Sequence, residues 1–508
     1  MLYVDKTAHC LALLQQGRRY FLARPRRFGK SLTISTLEAM VAGKKELFQG
    51  LACSDWVCQQ ADHPWPVLRI DMSSLRRYTT AEELNSSLIK NLQDYAFFHS
   101  ITTREEDTCD GMLLQVIYAL SKKNPSIAVL IDEYDKPILD NITDIKKVDE
   151  MREVLCSFYT VLKSCDEYLR FIFITGISKF SKIGVFSAMN NLLDISHSEK
   201  YGDIVGYTQE ELENTFAIFI REIAKKMNIT TDELAYKLKE YYNGFSFDGV
   251  CKVYNPYSIL SFFSLGQFGN YWYESASPTF IIQWLMQHKI EDPEAYRHVQ
   301  VKNDFTNSRE IEYADPKSFL FQSGYLTIEK KDKELFILDY PNKEVISAIS
   351  SIYLEKIYKI DSFASLGSKI WKALDECDLA YCIDLYNIAL SAIPYEDFTK
   401  RDEYWYRSLF VMLLRGAGCL VFAEVHVPKG RSDVCICTAT QCIIFEFKLA
   451  KTKASIKTKR EEGQKQLREK EYAKAVSQPG HAVHQGVVVA CDALKKAIFF
   501  AQSKACDR

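Results

Sequence analysis

The chain has 508 residues, 47% hydrophobic and 26% charged, with a formal net charge of −2. That length exceeds what one ordinary core organises and sets an expectation of about three domains. The near-neutral balance excludes a global pull toward nucleic acid or membrane, so any basic contact surface has to be local.

The opening "MLYVDKTAHCLALLQQGRRYF" is broken by polar residues and does not read as a signal segment. Short apolar strands then alternate with helical stretches over the first part of the chain. Strands are expected at 19–25, 66–73, 126–133 and 170–178, with a short one at 203–207. Helical patterns such as "KSLTISTLEAMVAG" and "EELNSSLIKNLQDYAFF" lie between them. Such alternation predicts an α/β fold, a mostly parallel sheet covered on both faces. From 208 to 345 the pattern turns mainly helical, opening on Thr208 with Glu211 three residues on, a capping-box signature, and closing on a hairpin at 324–342. Further helices run to about 415, followed by a compact α/β module at 419–450 and a charged helix, "KREEGQKQLREKEYAKAV". The most apolar run, 409–425, carries Arg415 and two glycines and falls short of the ~20 residues of a membrane span. Fifteen cysteines are scattered without C-x-x-C pairs, and Cys435, Cys437 and Cys442 read as small strand residues rather than zinc ligands. An odd, unpatterned count fits a reducing cytoplasm.

Two segments carry the elements of a nucleotide site. "ARPRRFGKSL" (23–32) ends in Gly29-Lys30-Ser31, but the P-loop pattern G-x-x-x-x-G-K-[ST] wants glycine where Arg24 stands. An apolar strand precedes the stretch and a helix-forming run follows it. In that setting the loop backbone at Arg24, Pro25, Arg26, Arg27, Phe28, Gly29 and Leu32 can line a phosphate, with N–H donors at each of these positions except Pro25. Lys30 can reach the β/γ-phosphates, and the Ser31 hydroxyl can ligate Mg²⁺. A chance basic loop is the alternative. The apolar run ending in Asp132-Glu133 has the form of a Walker B element, with Asp132 holding Mg²⁺ and Glu133 positioning the attacking water. Read alone it is equally a solvated strand end. Thr175 and Ser178, at the end of another strand, suit a residue sensing the γ-phosphate or a simple turn.

The stretches "YVDKT", "RPRRFGKSLTISTLEAM", "LIDEYDKP", "TGISKFSK", "YYNGFSF", "YNPYSIL" and "DYPNKEV" occur in order. They resemble the bacterial AAA-ATPase-like proteins with a C-terminal nuclease-superfamily domain. The resemblance covers nearly the whole chain and implies a P-loop ATPase core at 1–207. It further implies a helical lid or winged-helix-like region at 208–345 and a nuclease-like domain with a helical lead-in at 346–508. In that family the loop commonly reads "RPRRFGKS", so Arg24 departs from the general pattern but not from the family's. Such proteins usually have a further stretch ahead of "YVDKT", so either a short start or a missing leading edge is expected.

The C-terminal module holds Gly430, Asp433, Glu446 and Lys448, with Glu446 thirteen positions after Asp433. This is the spacing of a PD-(D/E)XK core, in a restriction-endonuclease-like α/β domain. Strand residues i and i+2 face one side, so Glu446 and Lys448 project together. Asp433 and Glu446 would bind Mg²⁺, and Lys448 would orient water or stabilise developing charge. Glu403 and Gln466, the latter with Tyr472, are auxiliary candidates or solvated helix residues, and Glu424 ranks below them. Residues 451–474 contain nine Lys/Arg and four Glu, a local excess that suits phosphates or a solvated helix. Tyr404-Trp405-Tyr406 fits helix packing better than base stacking.

The expected function is an ATP-binding, ATP-hydrolysing cytoplasmic enzyme whose Mg²⁺-dependent nuclease-like domain acts on nucleic acid, DNA before RNA, with no membrane partner and homo-oligomerisation left open. The alternative is a nucleotide-switched scaffold whose nuclease-like module binds without cleaving. A small-molecule kinase would leave the C-terminal module unexplained.

Overall fold

A computed structural model describes all residues except 1, 180–191, 277–278, 289–292, 307–313, 361–362, 394–401, 428–429, 439, 471–480 and 502–508. The chain divides into two compact units, Met1–His288 with Tyr296–Asn342, and Lys289–Ala295 with Lys343–Arg508.

The first unit is built on five strands, β1 (Arg19–Ala23), β2 (Val67–Asp71), β3 (Ile127–Asp132), β4 (Leu169–Gly176) and β5 (Leu193–Asp194). They pair in parallel in the order β2-β3-β4-β1-β5. All six residues of β3 are buried, because helices cover both faces of a parallel sheet and leave no polar side. The expected strand at 203–207 is not one. Gly206 turns the chain at φ 86°, where a Cβ would strike Val253, and only a single bridge, Tyr207 to Tyr254, remains. The edge position belongs instead to β5. Helices Lys30–Val41, Ala81–Phe98 and Cys109–Lys123 follow the predicted pattern, the last two N-capped by Thr80 and Thr108.

Beyond the sheet, Thr208 and Glu211 close their capping box at the start of helix Gln209–Thr215. Helices Ala217–Met227, Thr231–Tyr242 and Pro256–Leu265 gather Ile220, Leu234, Tyr242 and Phe262 into one core with Leu212 and Phe216. The predicted hairpin is β7 (Thr327–Asp332) and β8 (Leu335–Asp339), joined by β6 (Val299–Lys302) in the antiparallel order β6-β8-β7. This is the winged-helix-like arrangement. The motif "NGFSF" links it to the sheet. Gly244 sits at φ 100°, with the Pro341 carbonyl where a Cβ would be, at 2.1 Å. That turn delivers Phe245 and Phe247 edge-on to Phe28, with ring centroids 4.8 and 5.5 Å away.

The second unit carries β9 (Leu420–Val427), β10 (Gly430–Cys437), β11 (Gln441–Ala450), β12 (Ala482–Cys491) and β13 (Lys496–Ala501) in the order β13-β12-β11-β10-β9. Only the β11–β12 pair is parallel, and the charged helix, Ile456–Lys470, lies in the crossover it requires. Edge strand β13 is covered: the Asn387 side chain donates to the Ala497 carbonyl (2.9 Å) and accepts from its N–H (2.7 Å). Among the described residues no helix is long and apolar enough to cross a membrane.

Gly244→Ala combines a strained φ with a backbone clash and is expected to destabilise the first unit by ~2 kcal/mol or more in denaturant melts. Gly50→Ala, at φ 76° with nothing within 4 Å of the new methyl, should cost less. Equal losses would mean that φ alone, and not the Pro341 contact, sets the cost.

Candidate functional site

In the first unit, β1 feeds the loop 24–29 and helix Lys30–Val41. Gly29 caps that helix in the left-handed region (φ 99°, ψ 17°), and a Cβ there would meet nothing within 4 Å. The loop backbone therefore faces open space at a helix N-terminus, whose first N–H groups lack intrahelical acceptors. The Lys30 ammonium is folded back onto the loop, donating to the carbonyls of Arg24 (2.9 Å) and Pro25 (3.0 Å). Burial lowers its pKa, while Asp132, Glu133 and Asp135 push the other way. Ser31 and Leu32 are exposed on the first turn.

The basic residues of the loop have separate fates. Arg24 is 1% exposed, so it cannot face a ligand from solvent. Its guanidinium donates to the carbonyls of Ala23 (2.9 Å), Ser196 (2.7 Å) and Tyr201 (3.1 Å) and lies 4.2 Å from the Phe247 ring centroid. Burial brings its pKa down to about 10 against the pull of Asp248 and Asp194. Its side chain is a strut behind the loop, which answers why no glycine is needed there. The Arg26 carbonyl accepts from Trp272 Nε1 (3.1 Å), and Arg27, at φ 67°, lies over the Tyr257 ring. Pro25 packs where a Cβ on Gly324 would be, and Phe28 is buried under Phe245 and Phe247.

Strand β4 is inserted between β1 and β3, so its end stands beside both the loop and Asp132. The Thr175 hydroxyl donates to Asp132 Oδ1 (2.6 Å), which also accepts from the Glu133 N–H (3.0 Å). Glu133 sits at φ 49°, uncommon for a residue with a Cβ, and burial raises its carboxyl although Lys30 opposes. Ser178 is committed elsewhere: its hydroxyl (2.8 Å) and N–H (2.8 Å), with the Ile177 N–H (2.9 Å), all donate to Asp135 Oδ2. Asp135 was not singled out from sequence. The available signal was a second acid in "DEYDKP", beside a tyrosine whose hydroxyl donates to the Ser178 carbonyl (2.9 Å).

In the second unit, β10 and β11 pair from Cys437–Cys442 to Val434–Phe445, and Asp433 and Glu446 are the next residues on the two strands. Glu446 is fully buried, and among the described residues its Oε2 has no hydrogen-bond partner. Lys448 donates to Glu446 Oε1 (2.9 Å) and the Phe447 carbonyl (2.7 Å) and lies 3.6 Å from Glu403 Oε1. Glu403 also accepts from the Leu449 N–H (2.9 Å). Asp433 accepts from the Phe447 N–H (2.8 Å) and from Arg407 (3.0 Å), a residue sequence reading missed although it lies one turn after Glu403. Helix Ile456–Lys470 passes overhead at Gly463, where a Cβ would come 3.4 Å from Lys448 Cγ, and half-buried Gln466 follows one turn later. Tyr472 and the Glu424 side chain lie outside the described residues. Three carboxylates face two cations here, and burial, with Asp433 adding, pushes Glu446 up to about 7. Burial alone would lower Lys448, yet Glu446, Glu403 and Asp433 outweigh it and hold the ammonium charged. An acidic excess with one orphaned, buried oxygen fits a divalent cation.

Residues 1–186 match the family described as predicted AAA-ATPase, and residues 401–498 match the PD-(D/E)XK nuclease superfamily. An uncharacterized protein from the vnfD 5′ region of Azotobacter chroococcum mcd 1 is 31% identical over 493 residues, covering 95% of this chain and 91% of the relative. The chain belongs to the AAA-ATPase-like proteins that carry a C-terminal PD-(D/E)XK nuclease-superfamily domain. Two solved structures align more loosely. Cdc6p of Pyrobaculum aerophilum shares 9% identity at TM-score 0.25, covering 70% of this chain and 93% of its own. The Aeropyrum pernix ORC1 protein in complex with DNA shares 10% at TM-score 0.26, covering 68% and 90%.

Because Glu446 has its folded-state value above the ordinary carboxylate one, the folded form holds a proton that the unfolded chain gives up. Its contribution is present at low pH and lost as pH rises through about 7. In chelator, Glu446→Gln should therefore melt higher than wild type at pH 8, by ~2–4 °C per kcal/mol gained, with the gap closing toward pH 5. A pH-independent difference would remove the buried charge as its cause.

Proposed function

We propose that the first unit binds and hydrolyses ATP and that this controls Mg²⁺-dependent cleavage of nucleic-acid phosphodiesters, DNA before RNA, by the second. The observation that carries the reading is the gathering of Asp433, Glu446 and Lys448, with Glu446 Oε2 buried and without a partner among the described residues.

In the nucleotide site, the γ-phosphate would take the Lys30 ammonium from the carbonyls of Arg24 and Pro25, since charge-assisted bonds to phosphate outweigh those to neutral oxygens. Ser31 and Asp132 would hold Mg²⁺. Glu133 would orient the attacking water, and Thr175, fixed on Asp132, would register the γ-phosphate at the end of β4. In the nuclease site, Asp433 and Glu446 would hold the metal, which when bound lowers the pKa of water and offsets phosphate charge. Lys448, kept protonated by its carboxylate neighbours, would donate toward the developing negative charge. The basic stretch 451–470 would neutralise backbone phosphates flanking the cut.

A second reading has its own support. Arg407 already pairs with Asp433, and Lys448 with Glu446, so the site's charges are partly closed on themselves. A nucleotide-switched scaffold that binds without cleaving would look like this.

The full chain is assayed on single- and double-stranded DNA and RNA with Mg²⁺, with and without ATP. Asp433→Ala should lower cleavage at least ~100-fold, while Lys30→Ala removes nucleotide binding and Glu133→Gln keeps binding but loses hydrolysis ~100-fold. Intact substrate throughout, with binding that survives Glu446→Ala, would favour the scaffold. Arg24→Lys should lower the melting temperature while leaving ATP affinity within ~2-fold, because three carbonyls lose a fork that an ammonium cannot replace. A large affinity loss in a variant that melts normally would make Arg24 a phosphate ligand.

A further inference from the structure

The β10–β11 hairpin carries a pair of thiols that neither proposed activity uses. Cys437 and Cys442 are direct cross-strand partners, with their Sγ atoms 3.6 Å apart. The Thr438 N–H bonds the Gln441 carbonyl (2.9 Å), which makes 438/441 a hydrogen-bonded pair and, by alternation, 437/442 a non-hydrogen-bonded one. In that pair type the Cα atoms are only ~4.5 Å apart and the side chains lean together, within the span a disulfide bridges. Closing the remaining gap takes side-chain rotation and no change of register. Cys437 is partly accessible and Cys442 buried, so one sulfur can meet a reagent from solvent and the other can reach only its neighbour. Asp433 and Glu446 lie four residues farther along each strand, and strand residues i and i+4 share a face.

We propose that Cys437 and Cys442 form an oxidisable dithiol that closes to a cross-strand disulfide on exposure to a hydroperoxide, tying the two strands that present Asp433 and Glu446. The Cys437 thiol gives up its proton, the thiolate attacks one oxygen of hydrogen peroxide, the O–O bond breaks to leave a sulfenic acid, and the departing hydroxide takes up that proton as water. The Cys442 sulfur then attacks the Cys437 sulfur, the S–O bond breaks, and the hydroxide leaves as a second water after taking the Cys442 proton. Two thiols lose two electrons, and one peroxide gains them. Burial holds the Cys437 thiol up to about 11, so the first step is slow at neutral pH and the resting protein is the dithiol.

The test treats the full chain with hydrogen peroxide, alkylates the remaining thiols under denaturing conditions and maps the tryptic peptide 432–448, which also contains Cys435. The expected product is a peptide lighter by two hydrogens, with one alkyl group, on Cys435, and no fragmentation between 437 and 442. Dithiothreitol should restore three alkylations. Cys437→Ser and, separately, Cys442→Ala should each abolish the mass loss, and circular dichroism identifies a variant that has unfolded. The exposed Cys58 serves as internal control. Full oxidation of Cys58 with 437 and 442 still alkylated overturns the proposal, as does a bridge formed through Cys435. Neither outcome depends on whether the hairpin cleaves nucleic acid.

Discussion

A guanidinium placed behind a phosphate loop and buried to 1% exposure must find acceptors, and Arg24 finds them in three backbone carbonyls. Two of those carbonyls, at Ser196 and Tyr201, belong to the segment after edge strand β5, so one side chain ties the loop to the neighbouring edge of the sheet. The Ser196 hydroxyl returns the contact by accepting from the Ala23 N–H (2.8 Å). With its root fixed, the loop can turn through Pro25, Arg27 in the left-handed region and Gly29. The carbonyls of residues 24 and 25 then point at Lys30. A first glycine would supply freedom that this loop does not need, because its shape is imposed from behind.

The loop is also held from above. Trp272, Phe245, Phe247 and Gly324 all come from the helical and winged-helix-like part of the same unit, and between them they touch Pro25, Arg26 and Phe28. Residues 208–288 and 296–342 therefore belong to the same compact unit as the sheet. The motif "YYNGFSF" has a physical meaning in this light: Gly244 permits the close approach to Pro341, and the two phenylalanines after it form the lid over Phe28.

Much of the chemistry was legible in the sequence because strand periodicity is strict. Asp132 at the end of an unbroken apolar run, and Glu446 and Lys448 two residues apart, are placed by the geometry of one element or one strand pair. Side chains whose partners lie far along the chain were not. Arg24 bonds residues 172 and 177 positions away, and nothing near it in sequence announces those carbonyls. Ser178 looked free to sense phosphate, but Asp135 sits 43 positions earlier and takes three donors on one oxygen, two of them from Ser178. Arg407 is hidden for the same reason, since its helix meets Asp433 only through the fold. The strand expected at 203–207 failed because a β-like composition was read without the turn that Gly206 makes.

The two sites handle buried charge in opposite ways. Asp132 has its neighbours supplied by the fold: a hydroxyl and an N–H reach Oδ1, and Lys30 stands nearby as a countercharge. Glu446 has one oxygen on Lys448 and the other on nothing, in a place where water does not reach. A buried oxygen left unpaired costs stability, and replacing the acid with a neutral side chain would relieve the cost at once. Burial therefore favours either a proton on this carboxyl, whose pKa is pushed up to about 7, or a positive charge beside it. Lys448 cannot serve both oxygens, and Arg407 is directed to Asp433. Under the proposed nuclease reading, the unpaired oxygen is where a divalent cation would bind, beside the carboxylate of Asp433.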